Sequence, residues 1–211
     1  MLLGAGAALA LTLGMAFAQP SIQLDGLNTQ ASGLAAYLQN HAAGSSNGFC
    51  FQDNANRNQT GYACFEHALQ VSGLASMVNS SKPITVFAPT DAAFAHLEST
   101  TGLGVFEQFM NDKAAMTQLV KSSIVDGSHT VSDLAYQAPV ASGSTSLTTV
   151  AGTPLDIVFG SLGYGTSSTY VDVGPSGAYD GQSFVIGTPI MFPGDSVLIP
   201  LGRITLTSLG A

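Results

Sequence analysis

The sequence predicts an α+β fold, with helices packed on a largely antiparallel β-sheet. Two observations carry that expectation. Apolar residues recur at helical spacing in several segments between Ser32 and Ser122. From Ile124 onward the chain breaks into short β-branched or aromatic runs separated by Gly, Pro, Ser and Asp, the pattern of strands joined by turns. Helices first and strands later, with little interleaving, favour α+β over a parallel α/β sheet.

The elements follow in order. Ser32 to His41 places Leu34, Tyr37 and Leu38 on one helical face. Gly44 to Gly61 is a loop rich in Asn, Ser and Gly. Phe65 to Val78 reads as one helix with Phe65, Ala68, Leu69, Leu74, Ala75 and Val78 inward, ending at Asn79 to Lys82. Ile84 to Ala88 is an apolar strand ended by Pro89. Thr90 is then placed to cap a helix carrying Ala92, Phe94 and Leu97, with Asp91 complementing its dipole. Helices follow over Val105 to Met110 and Lys113 to Ser122. The predicted strands are Ser146 to Val150, Leu155 to Phe159, Thr169 to Val173, Phe184 to Ile186 and Ile204 to Leu206.

The N-terminus reads as a secretory signal peptide over residues 1–18: an apolar run from Leu2 to Phe17 that closes on Ala16-Phe17-Ala18. It is marginal as a bilayer span, which needs roughly 20 apolar residues. Residues 19–61 form an N-terminal extension and residues 62–211 the main domain. The end, Gly202 to Ala211, lacks the pattern of a lipid-anchor signal, so a soluble secreted product without a transmembrane anchor is expected. It would reside outside the cell, in wall, matrix or periplasm according to the organism. Cys50 and Cys64 form an even pair in such a chain and are expected to close a disulfide, for about 3 kcal/mol from a loop of roughly 15 residues. Metal ligation by the pair is disfavoured because only His67 lies close in sequence, and no metal is expected.

Five basic residues face thirteen acidic ones, for a net charge of -8. That balance repels phosphate backbones and disfavours nucleic acid as a partner. His41, His67, His96 and His129 are scattered, and nothing matches GxSxG, HExxH or a phosphate loop, so no enzyme is expected. Asn58-Gln59-Thr60 and Asn79-Ser80-Ser81 are glycosylation sequons in polar segments, making Asn58 and Asn79 the expected acceptors.

The stretch Ile84-Thr85-Val86-Phe87-Ala88-Pro89-Thr90-Asp91-Ala92-Ala93-Phe94-Ala95-His96-Leu97 closely resembles the first signature box of fasciclin domains, roughly TVFAPTNxAFxxL. Thr85, Val86, Phe87, Ala88, Pro89, Thr90, Asp91, Ala93 and Phe94 are the matching positions, with Phe87 and Phe94 read as core anchors. Ile124-Val125-Asp126-Gly127 followed by Val131 to Leu134 resembles the family's VVPG…ADL segment. The resemblance covers roughly Tyr62 to the C-terminus and implies a fasciclin-like wedge of helices on a sheet. A second box admits two frames. In one, Val197 to Pro200 is its tail; in the other, Ser196 to Ile199 is its start and Ile204 to Leu206 its tail. Its histidine position carries Phe192 or Ile199. Ser122-Ser123 stand where the family carries a Tyr-His pair that animal members use for integrin contact, so that contact is not carried over.

The resemblance implies an extracellular adhesion or matrix-interaction module with a protein or glycan partner. The alternative is a soluble carrier of a small apolar ligand, a carotenoid or lipid, since some algal relatives carry carotenoids; no other cofactor is expected. The apolar segment Phe184 to Leu201 admits two readings, closing strands of the core or part of a hydrophobic groove; on the second, Met191 and Phe192 are the candidate binding surface, with the Thr101 to Gly104 turn as the other half of its rim.

Overall fold

The computed structural model describes residues 33–43, 50, 61–79, 81–138, 143–161, 169–175 and 183–204. The signal-peptide segment, Asn58 and most of the Asn-rich loop lie outside them. In chain order the elements are α1 (Leu34–Ala43), α2 (Ala63–Ser72), α3 (Ala75–Val78), β1 (Ile84–Pro89), α4 (Asp91–Thr101), α5 (Leu103–Asn111), α6 (Lys113–Ser122), β2 (Ile124–Asp126), α7 (Val131–Gln137), β3 (Ser144–Thr148), β4 (Pro154–Ser161), β5 (Thr169–Pro175), β6 (Ser183–Phe184), β7 (Ile190–Met191) and β8 (Val197–Leu201).

Strand alternation sets the layers. Side chains of a strand point alternately to opposite faces, and β1 is apolar on both. Its Ile84, Val86 and Ala88 join a core with α1, α2, α5 and α6, through Leu38, Phe65, Leu69, Phe106, Met116 and Leu119. Its Phe87 faces a second core with Leu134 of α7 and with Leu155 and Ile157 of β4. β2 splits the same way, Ile124 to the first core and Val125 to the second; in β8, Leu198 faces the helices while Val197, Ile199 and Leu201 face away. The sheet β2-β1-β8-β7 is therefore a buried middle layer, with helices on one side and the sheet β3-β4-β5-β6 with α7 on the other. This explains why every residue of β1 and β8 is buried.

The second sheet is antiparallel throughout. In the first, β1 pairs antiparallel with β2 but parallel with β8, in the register Phe87↔Ile199. One parallel pair thus enters the expected antiparallel arrangement, and it joins segments more than a hundred residues apart. Val197 to Pro200 is one strand beside the first box, whereas Ile204 lies in no strand, which favours the first of the two frames. Thr205 and Leu206 lie outside the described residues.

Several boundaries differ from expectation for local reasons. The helix predicted over Phe65 to Val78 is broken at Gly73, whose φ of 74° is readily adopted only by glycine; Leu74 N–H then bonds Leu69 O at 3.1 Å and ends α2. Val150 turns away after β3, where its N–H bonds Ile124 O at 2.8 Å. Gly202 is required by close approach: a Cβ there would meet the Phe184 ring at 2.6 Å.

α1 belongs to the first core, through Leu34, Tyr37 and Leu38, as does Cys50. The segment read as an extension therefore packs as part of the body.

Candidate functional site

The signature box is the best-defined cluster of named residues, and its polar groups bond inward. Thr85 Oγ1 donates to Gly127 O at 2.8 Å and accepts from His129 N–H at 2.8 Å, fastening the β2–α7 turn to β1. Thr90 does not cap α4 with its side chain as its position predicts. Its hydroxyl donates instead to Leu201 O at 3.1 Å, as does its N–H at 3.0 Å, so Thr90 ties the box to the end of β8. Asp91 is only 2% exposed, and its Oδ1 accepts from Cys64 N–H at 2.9 Å. The carboxylate thereby caps α2, a helix 27 residues away, while Asp91 N–H donates to Gly61 O at 2.8 Å. With Phe87 and Phe94 buried on opposite sides of the middle sheet, the box is a structural junction.

Cys50 and Cys64 are disulfide-bonded, and both are buried. The bond joins the segment after α1 to the start of α2, beside the Asp91 cap.

Phe192 corrects the proposed binding surface. It is 5% exposed and belongs to the helical core, its ring meeting the edge of Tyr37 at 5.3 Å between centroids. The cause is alternation at the end of β7: Ile190 and Phe192 face the helices, and Met191, half-buried, packs on the second core. Tyr37 also stacks on His41 at 3.8 Å and lies 6.3 Å from Tyr62. Sequence reasoning missed this aromatic group, because Tyr37 and Phe192 are distant in the chain and only α1 docking joins them.

Burial pushes the Tyr62 phenol above its ordinary pKa, with Tyr37 and Asp91 nearby adding to the effect. A raised folded-state pKa gives stability that is full below the unfolded pKa, about 10, and lost as pH rises above it. Alkaline titration followed by circular dichroism should therefore unfold the wild type above about pH 10, and Tyr62→Phe should move that transition to higher pH.

The remaining residues fall as follows. Ser122 and Ser123 are buried, and both hydroxyls donate to Leu119 O, at 2.9 and 2.8 Å, so they offer no contact surface. His129 sits over Gly127 with Nε2 3.1 Å from Asp126 O. The adjoining α7 begins with a Thr130–Asp133 capping box, and the Thr130 hydroxyl bond holds the Asp133 carboxyl below its ordinary pKa. Asn79 is exposed at the end of α3.

The Thr101 to Gly104 turn is the half of the proposed rim that faces solvent. Leu103 and Val105, in the first turn of α5, are 51% and 54% exposed, while Phe106, Phe109 and Met110 further along it are buried. α5 packs on α4, α6 and α2, so the turn belongs to the helical layer, apart from Met191 on the second core. Periodicity alone does not single them out: Leu103 lies three residues before Phe106 and seven before Met110, in phase with the buried stripe, yet it is exposed at the first position of α5. Phe184 is also exposed, with the Arg203 guanidinium carbon 6.0 Å from its ring centroid.

No curated protein matches the chain. Among solved structures it is similar to a fasciclin-domain pair from the insect cell adhesion molecule Fasciclin I, at 16% identity and a TM-score of 0.48 over 67% of this chain. The chain spans 43% of the length of that structure's chain. The family model of the fasciclin domain matches residues 60–172, which include the signature box, the VVPG-like segment and the first strands of the second sheet. With more than half of its length matched, and with the box forming the junction between two cores, the chain belongs to the fasciclin domain family.

Proposed function

We propose that the chain is an extracellular adhesion or matrix-interaction module that meets a protein partner through the turn between α4 and α5. The observation that carries this reading is that Leu103 and Val105 are both more than half exposed in the first turn of α5, a helix that packs on α4, α6 and α2. The run Ser99 to Phe106 contains no charge, so a partner covers it without desolvating an ion. The buried disulfide supports an oxidising, extracellular setting.

The test is the double variant Leu103→Ser, Val105→Ser in the full chain, compared with wild type for attachment to the surfaces and secreted matrix of the source cells. Each side chain buried at a partner is worth about 1–2 kcal/mol, so the double variant should weaken binding about 30- to 700-fold. Melting should change little, because both side chains are more than half exposed. Retained attachment would overturn the proposed surface. A visible absorption band that copurifies with natively isolated protein would instead favour the apolar-ligand carrier.

A further inference from the structure

The structure assigns Asn79, exposed at the end of α3, as the acceptor of an N-linked glycan. The sequon supplies the chemistry: the carboxamide of Asn79 is the acceptor and the Ser81 hydroxyl, two residues on, completes the recognition element. The fold supplies the access. Asn79 and Ser81 are exposed, as are Lys82 and Pro83 beyond them, so a bulky sugar extends into solvent without displacing packed groups.

The local backbone does not itself account for an asparagine. Asparagine is favoured after a helix when the chain takes a left-handed φ, but Asn79 closes α3 at φ -103° and ψ 14°, which any residue adopts. The left-handed position between the two helices is occupied by Gly73. A structural demand for Asn is therefore missing at the point where the sequon falls.

The neighbourhood gives the sugar a surface to cover. Leu74, which opens α3, and Met77 within it are partly buried apolar residues packed against the first core. A glycan at Asn79 would shield that edge. The inference stands independently of the partner proposal.

The experiment uses the full chain secreted from a eukaryotic host that attaches N-linked glycans. Peptide mass spectrometry is run before and after enzymatic deglycosylation. The expected result is a glycan on the peptide containing Asn79, with that asparagine converted to aspartate when the enzyme removes the sugar. Ser81→Ala leaves Asn79 in place and should abolish occupancy, while its melting matches that of the deglycosylated wild type. An unmodified Asn79 peptide from wild-type secreted protein would overturn the assignment, as would occupancy that persists in Ser81→Ala.

Discussion

Phe94→Ala is expected to lower the stability of the domain by about 3–5 kcal/mol, the range for deleting a fully buried aromatic ring. Phe87→Ala should cost a similar amount through a different core. Phe94 packs with the helices, among residues such as Phe65 and Phe106; Phe87 lies across the middle sheet, against Leu134, Ile157 and Ile199. Both rings are essentially inaccessible, so neither loss is compensated by solvent. In thermal unfolding this corresponds to a drop of roughly 6–20 °C, taking about 2–4 °C per kcal/mol for a chain of this size. Because the two rings share no core, their effects should be close to additive in the double variant. Wild-type melting in either single variant would contradict the assignment of the box as a junction between two cores.

Replacing both Cys50 and Cys64 with Ser should cost about 3 kcal/mol, from the restored freedom of a loop of about 15 residues in the unfolded chain. The folded state adds a second reason. Cys64 N–H is the group capped by Asp91, and Cys50 lies in the core that α1 completes. Loosening this corner should therefore free α1 first. The expected result is a lower melting temperature together with faster protease cleavage between α1 and α2, while the cores around β1 keep their protection. Free thiols in natively secreted material, or a double Ser variant with unchanged melting, would contradict it.

What could be read from the sequence was whatever depends on neighbours in the chain. β1 was legible because five apolar or β-branched residues end at a proline, and α6 because Ala115, Met116, Leu119 and Val120 repeat at helical spacing. The fasciclin box was legible for the same reason, being a contiguous strand, break and helix. The disulfide needed only two cysteines in a chain with a secretory pattern. The rest depends on distant partners. Asp91 looks like a first-turn acid of its own helix, and only the docking of α2 makes it a cap for Cys64. Thr90 looks like an N-cap until β8 brings Leu201 O within reach. Phe192 sits in an apolar run that fits either a core strand or a groove, and only the fold, which sets its ring against Tyr37 of α1, decides for the core. The parallel pairing of β1 with β8 leaves no local mark, since a strand buried on both faces has the same apolar character whichever way its neighbour runs.

Native-state amide hydrogen exchange, with and without the partner-bearing matrix, tests most directly whether the signature box is a buried spine and the contact lies elsewhere. The amides of Val86, Phe87 and Ala88 in β1, with those of Leu198 and Ile199 in β8, should exchange slowest in the protein and only through global unfolding. Their protection should not change when the partner binds, whereas protection should rise across Gly102 to Phe106. Rapid exchange in β1, or partner-induced protection centred on the box with none at the α4–α5 turn, would contradict the account.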